Sequence, residues 1–339
     1  MEKKKQVADL ISRFSQDFAY YKSDRYNETL LRSDFLDPLF ELLGWDIKNT
    51  QGKSTNEREV LLEEPLKANA LSNTKKPDYT FRLFSERKFF LEAKKPHVKI
   101  ELEDAPAKQV RRYGYTAGLH ISVLSNFEYL YIYDTTIPVK EDDSREKGLI
   151  KSFHYTEFVE KFDEISSLLS HESVYNGDFD KIWEHIEDNV EHKPVDKLFL
   201  EQINNWRLAL ANEIHRESPE MPLDQLSDIV QSYINKLLFL RVCEDRNIET
   251  YQELLSIAEK GDASELVSLF HKADLKYNSG LFDEYLAPQL IGNISSTFWD
   301  IVRQLYYPET PYSFAVLSSD ILGRIYEFFL SKRLAINDD

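Results

Sequence analysis

The sequence predicts an α/β (α+β) domain over residues 1–172, a mixed sheet flanked by helices, followed by an all-α domain over residues 173–339. Two observations carry this reading. Short runs of alternating apolar and polar residues, the mark of strands, fall between Glu59 and Tyr133 with helical patterns on either side. From about Tyr155 onward the apolar residues recur at helical spacing, punctuated by Pro194, Pro219, Pro222, Pro288, Pro308 and Pro311, with almost no strand pattern. At 339 residues the chain is long enough for two cores.

In order, residues 6–22 read as an amphipathic helix with Val7, Leu10, Ile11, Phe14 and Phe18 on one face. Asn27 is a good N-cap for a second helical stretch, Glu28–Arg32 and Phe35–Leu43, which stops at Gly44-Trp45; Pro38 is expected to kink or divide it. A polar loop, Gln51–Glu57, leads to a predicted strand at Glu59–Leu66, and Asn69–Lys76 is another loop. From Asp78 the pattern alternates: Tyr79, Phe81 and Leu83 on one face, Asp78, Thr80 and Arg82 on the other. After a turn at Ser85-Glu86-Arg87, Phe89, Leu91 and Ala93 point one way, so Glu92 and Lys94 share the opposite face. Pairing the two runs as a hairpin brings Asp78, Glu92 and Lys94 toward one sheet edge. A helix over about 104–117 carries Gln109 and Tyr113, four apart and hence neighbours on one face. Strands at His120–Leu124 and Tyr129–Tyr133 come next, and the domain boundary is expected in the charged run Lys140–Lys147 or just after the next helix. Helices are then expected at 155–170, 178–190, 196–216, 223–246, 250–260, 263–272, 293–306 and 318–334.

Composition excludes several chemistries. The single cysteine, Cys243, rules out an internal disulfide and a cysteine-cluster zinc site, and the closest approach to ligand spacing among the histidines, His185 and His192, reads as surface helix. No run of about 18 apolar residues and no signal-peptide pattern is present, so a soluble, cytoplasmic protein with no membrane partner is expected. The net charge of −17 speaks against nucleic acid as a partner. Its distribution speaks for it: Arg87–Arg112 holds eight basic residues against four acidic ones. Such an island can receive one phosphate without gripping a long duplex, and Lys95, Arg111 and Arg112 are its candidate DNA contacts.

Two carboxylates and a lysine at one sheet edge suit a hard cation such as Mg2+, which takes oxygen ligands, keeps several waters and activates one of them beside a phosphate. Pro77-Asp78 followed by Glu92-Ala93-Lys94 resembles the signature of the PD-(D/E)xK nucleases, and Gln109-Val-Arg-Arg-Tyr113 is similar to the Gln-x-x-x-Tyr motif of a subset that includes type I and related restriction subunits. That resemblance implies a restriction-endonuclease-like core in which Asp78, Glu92 and Ala93, which has only its backbone to offer, hold Mg2+, with Mn2+ as a substitute. Lys94 orients the attacking water or offsets developing charge, and Gln109 and Tyr113 reach a DNA phosphate or the water shell. It further implies an acid on the helix ahead of the sheet that assists through a water, for which Glu28 is the candidate and Glu41 a poorer one. By its position alone Glu28 is equally a first-turn acid favoured by the helix dipole and paired with Arg32.

In the helical half, Leu237–Arg246 is apolar and then densely charged, a buried helix end with an ion-pair cluster, and Cys243 within it is a small core residue. Together with Asp320–Leu330 this phrase looks like the helical connector of type IIG restriction enzymes, single chains that fuse a nuclease to an adenine methyltransferase. The chain departs from that family in lacking an Asn-Pro-Pro-Tyr motif and a Gly-rich motif for S-adenosylmethionine. It is therefore expected to be the amino-terminal part of a longer polypeptide, with S-adenosylmethionine used only downstream. The partners so implied are double-stranded DNA and a second nuclease domain for cutting both strands. An alternative is a catalytically inactive nuclease-like module that docks DNA or a partner subunit, or a nuclease of another defence or repair system.

Overall fold

A computed structural model of the chain describes residues 2–62, 76–184, 194–278, 280–282 and 296–317, together with 321, 323 and 327. Two compact units divide between Pro194 and Val195.

The first unit opens with α1 (Glu2–Gln16), which buries Val7, Leu10 and Phe14, and breaks at Asp17 before the single turn α2 (Phe18–Tyr21). Asn27 caps α3 (Glu28–Leu31) as expected, accepting the Leu30 N–H at 2.9 Å. Between α3 and α4 (Asp37–Leu42) the backbone makes a π-turn over Arg32–Leu36, closed by the Asp37 N–H on the Arg32 carbonyl. Pro38 accounts for the disturbance. It has no N–H for the carbonyl four residues back, that of Asp34, and the Arg13 guanidinium donates to that carbonyl instead. Gly44, at φ +97°, ends the segment.

Six strands then form one mixed sheet in chain order: β1 (Val60–Leu62), β2 (Tyr79–Leu83), β3 (Glu86–Ala93), β4 (Ile121–Ser125), β5 (Tyr129–Asp134) and β6 (Leu149–His154). All neighbours are antiparallel except β3 and β4. A parallel pair needs a crossover, supplied here by α5 (Asp104–Thr116) and closed by Gly118 in the left-handed region at φ +67°. One face of the sheet (Tyr79, Phe81, Phe89, Leu91, Ala93, Val123, Ile132) packs on α1, α3, α4 and the helices after β6. The other face meets α5 through Leu124, Tyr131 and Tyr133 against Ile100, Ala107 and Val110.

Three expectations are corrected. The hairpin turn is Phe84-Ser85, both at positive φ as a two-residue type I′ loop demands, and Glu86 already pairs with Leu83. Thr80 and Arg82, on the opposite face of β2, are buried as well. The run Lys140–Lys147 is not a linker but a strap on α5: Arg111 pairs with Asp143 at 2.8 Å, Lys108 donates to the Glu141 carbonyl at 2.7 Å, and the Arg145 N–H donates to Asp104 at 2.8 Å. It leads into β6, whose Leu-Ile-Lys-Ser-Phe-His carries too little alternation to read as a strand. The first unit also runs beyond residue 172. After α6 (Phe162–Leu169) come α7 (His171–Tyr175) and α8 (Asp178–Glu184), and Phe179 and Trp183 are buried in its core.

Among the described residues the second unit is helical: α9 (Val195–Glu217), α10 (Leu223–Asp245), α11 (Glu253–Lys260), α12 (Ala263–Tyr277) and α13 (Ser296–Arg303). The expected strand residues 63–66, the loop at 69–75, His185 and His192, and most of the helix at 318–334 with the Asp320–Leu330 phrase lie outside the described residues. The charged end of α10 is the predicted buried cluster. Arg241 pairs with Asp245 at 2.6 Å, and Glu244 accepts the N–H groups of Gln252 and Leu254 and the Tyr306 hydroxyl. Cys243 is buried beside it as a free thiol. Among the described residues no helix is long and apolar enough to cross a membrane.

The depth at which α5 sits on the sheet is set at Gly114. A Cβ there would stand 2.4 Å from Ser122 Oγ and 2.6 Å from Thr135 Cγ2. Gly114→Ala should therefore lower stability by about 1–3 kcal/mol through overpacking, although alanine is the better helix former. The midpoint of denaturant unfolding measures this.

Candidate active site

The strand register decides which groups meet at the end of the β2–β3 hairpin. Tyr79 pairs with Leu91, so Asp78 stands beside the end of β3, and its Oδ2 accepts the Ala93 N–H at 2.8 Å. Leu91 and Ala93 belong to the core on the opposite face, which turns Glu92 and Lys94 to the side of the sheet that carries α5. Both are buried, at 2% and 8% exposure.

Glu92 Oε1 accepts from Lys94 Nζ at 2.5 Å and from Gln109 Nε2 at 2.8 Å, and the same amide donates to the Tyr113 hydroxyl at 3.0 Å. The four-residue spacing of Gln109 and Tyr113 on α5 thus places both against the hairpin, as the helical face predicts. Glu92 Oε2 is buried without a hydrogen-bond partner. Burial pushes the Glu92 carboxyl up to about 8, with the nearby charges of Asp78 and Glu28 adding to it against Lys94. Burial alone would lower Lys94, but Glu92, Glu28 and Asp78 outweigh it and keep the ammonium above its ordinary range. Glu28 therefore acts on the site through its field, at the start of α3 where the sequence placed an assisting acid. Tyr113 is held well above the ordinary phenol range by its burial and by Glu92.

The sequence reading missed Arg32. Its Nη1 lies 3.2 Å from Asp78 Oδ1 and its Nη2 donates to the Asp78 carbonyl at 3.2 Å. The guanidinium rests 4.6 Å over the Tyr79 ring, whose hydroxyl donates to Asp37 at 2.6 Å. The available signal was its place four residues after Glu28, on the same helical face.

Of the candidate DNA contacts, Lys95 and Arg112 keep part of their surface in solvent. Arg111 is corrected: it is fully buried and ion-paired with Asp143. Its position two before Tyr113 turns it toward the strap. Among the described residues no three His, Cys, Asp or Glu side chains gather as a complete metal cage. The two acids from the hairpin, the orphaned Glu92 oxygen and the backbone of Ala93 make an all-oxygen donor set suited to a hydrated hard cation.

One buried acid, Glu92, and one half-buried acid, Asp78, thus stand beside a lysine at the end of the hairpin. No protein-family model matches the chain. It is 57% identical over 338 residues, its whole length, to the amino-terminal region of a type II restriction enzyme and methyltransferase of Escherichia coli, RM.Eco57I, and spans 34% of that relative's length. Among solved structures the type IIG restriction endonuclease BpuSI aligns with 90% of this chain and 31% of its own at 16% identity and a TM-score of 0.24.

The Glu92–Lys94 contact is buried, and each group depends on the other for its hydrogen bond. Glu92→Gln and Lys94→Met are each expected to destabilise the first unit, and the double variant by less than their sum. A coupling of about 1–3 kcal/mol in a double-mutant cycle of unfolding measures it.

Proposed function

We propose that the first unit is a Mg2+-dependent DNA endonuclease of the PD-(D/E)xK type, working in a restriction-modification system. The observation that carries the proposal is the convergence of Asp78, Glu92, Lys94 and Gln109 with one buried carboxylate oxygen left unpaired. A relative named as a restriction enzyme and methyltransferase, 57% identical over the whole chain, supports the same reading.

Asp78, Glu92 and the Ala93 carbonyl would hold the cation, Mg2+ or Mn2+. When bound, it supplies charge neutralisation at a phosphate and a water more acidic than bulk water. Lys94 stands fixed beside Glu92, a preorganised positive charge for the negative charge that develops on the phosphate. Gln109 anchors Glu92 and Tyr113 in one orientation. Glu28 lends a further negative field at the lysine and the glutamate. Lys95 and Arg112 are the remaining candidate phosphate contacts, and their small number agrees with a surface that receives one phosphate and leaves most DNA affinity to other parts of a longer protein.

Asp78→Asn, Glu92→Gln and Lys94→Met should each reduce nicking of supercoiled plasmid by roughly two to three orders of magnitude, the scale of losing a preorganised charged group. Assays run well below each variant's melting transition, and a Lys94→Met chain with full activity would remove the mechanism. Linear product should form with a second-order dependence on chain concentration, because one site cuts one strand at a time.

Glu92 must give up its proton to hold a cation. With its pKa raised to about 8, the ligating form is lost as pH falls through that value, and binding releases a proton. Mn2+ affinity is therefore expected to weaken roughly tenfold or more from pH 8.5 to 6.5. Calorimetry in buffers of differing ionisation enthalpy reads the released proton, which Glu92→Gln should abolish.

A further inference from the structure

In a continuous α-helix Glu28, Arg32, Phe35 and Leu39 would share one stripe, at spacings of four, seven and eleven. That stripe cannot serve charge and core together. The one extra residue of the π-turn rotates the later residues by about 100°. Phe35 and Leu39 thus enter the core with no exposure, while Arg32 turns to the hairpin.

There the guanidinium holds the side chain and the backbone carbonyl of the same residue, Asp78, at 3.2 Å each. The Ala93 N–H holds the other carboxylate oxygen at 2.8 Å, so the carboxylate plane is fixed from two sides. The grip is braced in turn, since Arg32 lies over the Tyr79 ring and Tyr79 donates to Asp37, the residue that closes the π-turn. Arg32 thus feels the charges of Asp78 and Asp37, and Lys94 those of Glu92, Glu28 and Asp78.

We propose that Arg32 is a positioning residue for Asp78, aimed by the π-turn, which fixes the carboxylate for reaction and at the same time tempers the site's hold on a divalent cation. The proposal rests on the metal-site reading above. A guanidinium on the ligating carboxylate opposes an ion approaching that carboxylate, so its removal tightens binding and loosens geometry. A purely structural arginine would do neither.

Calorimetric titration of Mn2+ into the 339-residue chain, with Asp78→Ala as the control that binding runs through this site, sets the reference. Arg32→Gln is expected to bind Mn2+ roughly threefold tighter or more, since an opposing charge is gone. It should also nick plasmid roughly tenfold more slowly at saturating Mn2+, since the carboxylate is no longer held. Arg32→Lys keeps the charge without the fork and is expected to show wild-type Mn2+ affinity with an intermediate rate. Unchanged or weaker Mn2+ binding by a folded Arg32→Gln chain, or a full rate at saturating Mn2+, overturns the positioning role and leaves the metal site standing. Should Arg32→Gln fail to fold, Arg32→Lys decides alone, and an unchanged rate there overturns the proposal. A wild-type chain with no Asp78-dependent binding removes the metal-site reading itself.

Discussion

The crowding of Glu28, Asp78 and Glu92 at one end of a hairpin is the constraint to which the first unit answers. Carboxylates taken out of water are costly unless paired and hydrogen-bonded, and here the elements that pack around the site each bring a partner. The π-turn brings Arg32, the end of β3 and the residue after it bring the Ala93 amide and Lys94, and α5 brings Gln109. The compensation is incomplete at one atom, Glu92 Oε2, and the raised affinity of that carboxyl for a proton is the visible residue of the cost. A proton satisfies it in one state of the molecule, and a divalent cation would in another.

The charged end of α10 shows how a finished arrangement looks. Both oxygens of Glu244 are engaged, by two backbone amides and a tyrosine hydroxyl. Asp245 takes Arg241 on one oxygen and the Phe314 amide on the other. Acidic and basic residues are as dense and as buried here as at the hairpin, yet neither acid has an oxygen left over for a ligand. The two clusters thus differ in their acids: those of α10 have both oxygens engaged, whereas Glu92 keeps one buried oxygen without a partner.

Local rules carried most of the first unit. Alternation at Asp78–Ala93 located the hairpin and put Glu92 and Lys94 on one face, and the spacing of Gln109 and Tyr113 put both on one side of α5. Asn27 and Pro38 marked a cap and a break. The features that escaped depend on neighbours far away in the chain. β6 is an edge strand whose pattern is half-solvated, Arg111 is buried because a strap of eight residues closes over it, and Arg32 turns to Asp78 across 46 residues. The domain boundary was placed early because α7 and α8 are as amphipathic as the helices of the second unit, and only their packing on the first core assigns them.

The parallel pairing of β3 with β4 bears on how the molecule comes together. Asp78, Glu92 and Lys94 sit on a hairpin that closes over a two-residue loop, a local event. Gln109 can reach Glu92 only once α5 has swung across and β4 has docked alongside β3, and such non-local closures are slow. The groups at the hairpin end are therefore brought together by local pairing, while the amide that fixes Glu92 depends on a crossover of the chain.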